Sequence, residues 1–185
     1  MKKAVTAIAF YLTGLLTSVS AHPPHIHGIA TLNLLVEGPL VEIELISPLA
    51  NHLSFEHKPE NDEQIKEVQK MVKILNEGEK LFYFPQEAQC RMKKTVLESA
   101  LLDGILSPSK TDSGTEQSDR KDPVHSHADL EAFYSFECVR TDALNGFEVR
   151  LFKDFEHLQS INVQMVTPVQ QKAFKLDASS NRVTW

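Results

Sequence analysis

The chain has 185 residues with a formal net charge of −6, and 42% of its residues are hydrophobic. Such an acidic chain repels the phosphates of nucleic acid and of anionic membrane surfaces, so neither is expected as a partner. Its length is sufficient for one domain, or two small ones, around a hydrophobic core.

Residues 1–21 have the pattern of a secretory signal peptide. Lys2 and Lys3 make a basic start, residues 4–16 form an almost uncharged apolar run, and small residues at 19–21 suit cleavage. The apolar run is too short for a comfortable membrane span, and no other segment of the sequence is long and apolar enough for one. We therefore expect an exported mature chain that is not embedded in a membrane.

The first half of the mature chain predicts a β-hairpin followed by a helix. Apolar residues alternate over 29–36 and again over 41–45, and the Glu-Gly-Pro turn between them is typical of a hairpin. Asn61 is a fitting N-cap for the helix, with Gln64 three residues further on. The buried stripe of this helix recurs at helical spacing: Ile65, Val68, Val72 and Leu75. Gly78 fits the position just beyond its end.

The second half is dominated by strands. Strands are predicted at 90–98 and 128–138, separated by a polar segment without hydrophobic residues between 107 and 123. If the second strand folds back on the first, the two form a long hairpin. Alternation predicts further strands at 147–151, 161–165, 173–176 and 182–185, with a second short helix around 154–159.

The two cysteines, Cys90 and Cys138, lie at the base of this predicted hairpin. A single cysteine pair in an exported chain most simply forms one structural disulfide. The sequence has no Cys-x-x-Cys spacing and no flanking basic cluster that would activate a thiol. We therefore predict a Cys90–Cys138 disulfide.

Six of the eight histidines fall into two similar clusters. The first cluster consists of His25, His27 and the tripeptide Phe55-Glu56-His57. The second repeats it one hundred positions later, as His125, His127 and Phe155-Glu156-His157. Because a hairpin begins and ends at the same edge of a sheet, each His-x-His pair is expected to approach the later Phe-Glu-His. A structural duplication and a coincidence both remain open.

Clustered imidazole and carboxylate groups predict a metal site, because zinc takes these ligands in tetrahedral geometry. We take His25, His27, His57 and Glu56 as the ligands of a Zn²⁺ site. His125 and His127 are candidates for a second, looser site. The sequence does not decide between one shared site and two.

Two alternatives to zinc binding stay open. Cleavage after Ala21 would make His22 the N-terminus, whose amine and imidazole suit copper(II) or nickel(II). An exported interaction module with incidental histidines would bind no metal at all. An enzyme is not predicted, since the sequence contains neither a His-Glu-x-x-His helix nor a Gly-x-Ser-x-Gly elbow.

Short motifs follow one another in a recognisable order along nearly the whole mature chain. They are His-x-His-Gly-x-Ala-x-Leu (25–32), Ser-Pro (47–48), Phe-Glu-His-x-Pro (55–59), Leu-Phe (81–82), Ala-x-Cys (88–90), His-Ala-Asp (127–129), Tyr-x-Phe-x-Cys (134–138), Leu-Phe (151–152) and Val-Thr-Pro (166–168). This order resembles the ZrgA proteins, and the cysteine context with Phe-Glu-His-x-Pro is its most specific part.

The resemblance implies a periplasmic zinc-binding accessory protein that passes Zn²⁺ to the solute-binding protein of an ABC-type zinc importer. It also implies an α+β fold of two small α/β subdomains with mostly antiparallel sheets, joined through the long hairpin. In this chain the subdomains would span 22–99 and 125–185, with a mobile polar loop at 100–124. Family members usually carry a histidine-rich loop before His-Ala-Asp. This chain has no histidine between 107 and 123, so we do not expect high-capacity loading there.

Overall fold

A computed structural model describes residues 26–99 and 129–185, which form two β-sheets, one long helix and two short α-helices. The expected signal peptide at 1–21 and the expected polar loop at 100–124 lie outside these residues. Within them, every strand pair but one is antiparallel. The α+β class with mostly antiparallel sheets is therefore confirmed.

The elements follow each other closely along the chain. The strands are β1 (Ile29–Glu37), β2 (Leu40–Pro48), β3 (Phe82–Tyr83), β4 (Cys90–Glu98), β5 (Asp129–Cys138), β6 (Gly146–Val149), β7 (Ser160–Val166), β8 (Gln171–Asp177) and β9 (Arg182–Thr184). The helices are α1 (Asp62–Asn76), α2 (Gly78–Leu81) and α3 (Leu151–Asp154).

The larger sheet has the strand order β4-β5-β2-β1-β7-β8, and the smaller sheet has the order β3-β6-β9. In the larger sheet β1 lies between β2, its antiparallel hairpin partner, and β7, which runs parallel to it. Each sheet takes strands from both sides of the polar segment at 100–124. The predicted boundary therefore does not separate one sheet from the other, and the division into two subdomains stays a prediction.

One hydrophobic core joins the two sheets and α1. Strand residues at alternate positions are fully buried in it, as the period of two predicts, for example Leu32 and Leu45. An aromatic cluster connects the two sheets, since Phe82 of β3 lies 4.9 Å from Tyr134 of β5 and 5.9 Å from Phe147 of β6 between ring centroids. The helix α1 adds Val68, Met71 and Leu75.

The start of α1 is capped as predicted. The Asn61 side-chain oxygen accepts a hydrogen bond from the Gln64 N–H at 2.9 Å. Gly78 follows the helix, but α2 begins there and its φ is not positive. Glycine is needed for space instead, because a Cβ would lie 2.6 Å from the Met92 sulfur and 2.8 Å from the Tyr134 ring.

The long hairpin and its disulfide are confirmed. β4 and β5 pair along their length, with Cys90 directly opposite Cys138. The two sulfur atoms are bonded, and the cysteines are 48 positions apart in sequence. The second short helix expected around 154–159 is wrong in position, since α3 ends at Asp154. The next residues form a turn, in which the Leu158 N–H donates to the Phe155 carbonyl.

Candidate metal centre

The sheet register places the ends of four strands at one edge of the larger sheet. Pro48, at the end of β2, lies opposite Asp129, at the start of β5. Ile29, at the start of β1, lies opposite Ser160, at the start of β7. The segments before β1, after β2, before β5 and before β7 therefore all leave the sheet at the same edge.

The central contact at this edge joins His27 and Glu56. The His27 Nε2 atom lies 3.1 Å from the Glu56 Oε1 atom. Neighbouring ligand atoms of a tetrahedral zinc ion are about 3.3 Å apart, given metal–ligand distances near 2 Å. The two atoms are therefore close to the separation of two ligands on one zinc ion. The imidazole is largely exposed and the carboxylate mostly covered, with 60% and 23% of their side-chain surfaces accessible.

His57 has one ring nitrogen available for a metal. Its Nδ1 atom lies 2.8 Å from the Lys58 carbonyl oxygen. Because a carbonyl only accepts hydrogen bonds, Nδ1 carries the proton, and the lone pair is left on Nε2. Histidines that bind metals commonly use this arrangement. The His57 side chain is half exposed, and its ring centroid lies 5.2 Å from that of Phe55.

The structure brings together part of the predicted ligand set. His27 and Glu56 are in contact, and His57 follows Glu56 in the same loop. Within 26–99 and 129–185, no group of three or more His, Cys, Asp or Glu side chains could hold a metal ion. His22, His25, His125 and His127 lie outside these ranges. The complete ligand set therefore stays a prediction.

The second histidine cluster differs from the first in its strand pairing. β5 pairs with β2 and β4, whereas the next strand, β6, belongs to the smaller sheet. The loop that carries His157 nevertheless reaches the same edge, because the Gln159 and Ser160 N–H groups both donate to the Gly28 carbonyl, at 2.8 and 2.9 Å.

Sequence reasoning missed two buried polar residues in the loop after β2. The Asn51 side chain forms three hydrogen bonds to the start of β1 and the end of β2. The His52 ring packs edge-on against Phe155, with centroids 4.4 Å apart, and its burial lowers its pKa to about 3. The only signal in the sequence is that apolar Leu49 and Leu53 flank these residues.

Imidazole and carboxylate groups such as those of His27 and Glu56 are ligand types that zinc accepts. In a comparison with protein families, residues 24–185 match the family described as "ZrgA family zinc uptake protein". The chain therefore belongs to the ZrgA family of zinc uptake proteins. Among curated proteins, none matches the chain. No helix in the described parts of the chain is long and apolar enough to cross a membrane.

Proposed function

We propose that the chain binds Zn²⁺ in the periplasm and passes it to the solute-binding protein of an ABC-type zinc importer. The contact between His27 Nε2 and Glu56 Oε1 at the edge of the larger sheet carries the proposal. Zinc is the cargo here, and a nitrogen and an oxygen ligand of the type that it prefers are already at coordinating separation.

The remaining ligands are the other predicted histidines. His25 precedes His27 by two residues, and His57 follows Glu56 directly. His127 precedes Asp129, the first residue of β5, by two residues, and Asp129 lies opposite Pro48. These positions in the sequence support the proposal that His25, His57, His125 and His127 complete the ligand set of His27 and Glu56.

The exposure of the centre fits a protein that releases its metal to a partner. More than half of the His27 side chain is accessible, so another protein could approach the ion directly. A structural zinc site is instead closed by four protein ligands. The apolar start of the sequence and the disulfide both suit an oxidising compartment outside the cytoplasm.

Zinc titration of the mature chain tests the proposal. We expect His27→Ala and Glu56→Gln each to weaken Zn²⁺ binding by about tenfold or more, since even outer-shell changes cost that much. Glu87→Gln is the matched control, as it makes the same change to an exposed carboxylate outside the predicted set, and the zinc affinity of this variant should stay within about threefold of wild type. Competition with a chromophoric chelator measures the dissociation constants.

Unchanged zinc affinity in both His27→Ala and Glu56→Gln would contradict the proposed site. A chain that takes up copper(II) or nickel(II) through His22 but no zinc would support the first alternative. Delivery is tested separately, by mixing the zinc-loaded chain with the importer's solute-binding protein. We expect transfer faster than release to a chelator, and equal rates would contradict direct delivery.

A further inference from the structure

We propose that Asn51 is the positioning residue of this metal centre. Its side-chain amide links the turn that carries His27 to the loop that carries Glu56, and so holds the two ligands at coordinating separation. This inference rests on the proposed zinc site at the sheet edge. Asn51 itself touches no metal.

Three hydrogen bonds make the link. The Asn51 Oδ1 atom accepts from the Gly28 N–H at 2.6 Å, and its Nδ2 group donates to the Ile29 carbonyl at 3.1 Å and to the Ser47 hydroxyl at 2.9 Å. Asn51 is only 1% exposed, so water does not compete for these bonds. The amide oxygen thus binds the residue just before β1, and the amide nitrogen binds both β1 and β2.

The backbone of Gly28 is hydrogen-bonded through both its N–H and its carbonyl. The Asn51 side chain binds the Gly28 N–H, while the Gln159 and Ser160 N–H groups donate to the Gly28 carbonyl. Gly28 has a φ of +82°, and a Cβ there would lie 2.9 Å from the Gln159 side chain, so this position requires glycine. The Ile29 N–H donates to the Ile26 carbonyl and closes the turn around His27.

The Glu56 side of the link is also anchored. The His52 and Leu53 N–H groups both donate to the Leu49 carbonyl, which fixes the turn that contains Asn51. Further along the loop, the Ser54 N–H and hydroxyl both donate to the Glu67 carboxylate of α1. Asn51 therefore connects two segments that are each held elsewhere, one carrying His27 and the other Glu56.

This arrangement lowers the cost of binding a metal. A flexible His27 turn would have to be ordered when zinc binds, and that loss of freedom would weaken the affinity. With Asn51 in place, the imidazole and the carboxylate are ordered before the ion arrives. A residue with a purely structural role would change the stability of the fold and leave the zinc affinity as it is.

A double-mutant cycle separates the two roles. We expect Asn51→Ala to weaken zinc binding of the full mature chain by about tenfold, as for other outer-shell partners of ligands. In a His27→Ala background the same change should cause no further loss, because the ligand that Asn51 positions is gone. Asn181→Ala is the matched control: it removes a side-chain amide that donates to the Val149 carbonyl at 3.0 Å in the smaller sheet. It should leave zinc affinity unchanged.

The outcomes are distinct. If Asn51→Ala binds zinc as tightly as wild type while His27→Ala loses zinc, the positioning role is wrong. The proposed function is then left intact. If Asn51→Ala lowers the zinc affinity by the same factor in wild type and in His27→Ala, the positioning role is also wrong, because Asn51 would then not act through His27. If His27→Ala binds zinc as well as wild type, the proposed site itself fails. Should Asn51→Ala not fold, Asn51→Ser replaces it, since serine is polar beside Ser47 but too short to reach Gly28.

Discussion

His52 is a buried imidazole held in its neutral form. Only 8% of the residue is exposed, and within the described residues neither ring nitrogen has a hydrogen-bond partner. Burial disfavours the charged form and lowers the pKa from 6.5 to about 3. As the pH falls, His52 is therefore protonated near pH 6.5 in the unfolded chain and only near pH 3 in the folded chain.

This difference predicts an acid-sensitive fold. Between pH 7 and pH 5, His52 should lower the free energy of unfolding by about 2 kcal/mol, because only the unfolded state binds the extra proton. In His52→Leu this contribution should disappear, so the variant should lose less stability than wild type over the same range. Urea unfolding of both metal-free proteins at pH 7 and pH 5 measures it, and equal losses would contradict the assignment.

Residue patterns could indicate candidate ligands for a metal but not the buried side chains around them. His27 and Glu56 belong to short motifs whose side-chain chemistry is evident from the sequence. Asn51 and His52 depend on contacts with Gly28 and Phe155, which are brought close only by the pairing of β1 with β2 and β7. Nothing local in the sequence indicates those contacts.

At the scale of elements, the β4–β5 hairpin places its disulfide far from the proposed metal centre. Cys138 ends β5, whereas Asp129 begins it opposite Pro48. A ten-residue strand separates its ends by about 30 Å at 3.3 Å per residue. The disulfide therefore fixes one end of the sheet, while the contact between His27 and Glu56 lies at the other.

Removing the disulfide should reduce stability without affecting zinc. Because the cysteines are 48 positions apart, Cys90→Ser/Cys138→Ser should lower the free energy of unfolding by about 4 kcal/mol in the chain-entropy account. Urea unfolding measures the loss, and wild type treated with a reductant is the matched control. A loss below about 1 kcal/mol, or a changed zinc affinity while the variant is folded, would contradict this account.

Element boundaries could largely be predicted from the sequence, because they follow local patterns. The strand at Cys90–Glu98 begins and ends where predicted, and Asn61 caps α1 as expected. The pairing of strands could not be predicted in the same way. The parallel contact of β1 with β7 joins segments far apart in sequence, and alternation alone does not specify a partner.

At the scale of the whole molecule, the two sheets share one core although neither is continuous in sequence. The smaller sheet places β3 beside β6 and β9, and the larger one places β5 between β2 and β4. Neither 22–99 nor 125–185 can complete a sheet alone. The two parts are therefore expected to unfold together.

A single cooperative transition is the expected result. Trp185, the one tryptophan, contacts Phe147 of the smaller sheet, with ring centroids 6.2 Å apart, so its fluorescence reports on that sheet. Far-UV circular dichroism reports on the secondary structure as a whole, including α1 and the larger sheet. We expect the two urea midpoints to coincide, and Val183→Ala in β9 to lower both equally. Separate midpoints would instead support two independently folding subdomains.

The parallel contact between β1 and β7 also orders events during synthesis. β2 follows β1 at once, but β7 is made only when most of the chain already exists. Until then one long side of the apolar β1 lacks its backbone partners, and an unpaired strand edge of this kind is prone to aggregation. For the export that we propose, the same delay would favour passage through a translocation channel, which a prematurely closed sheet would block.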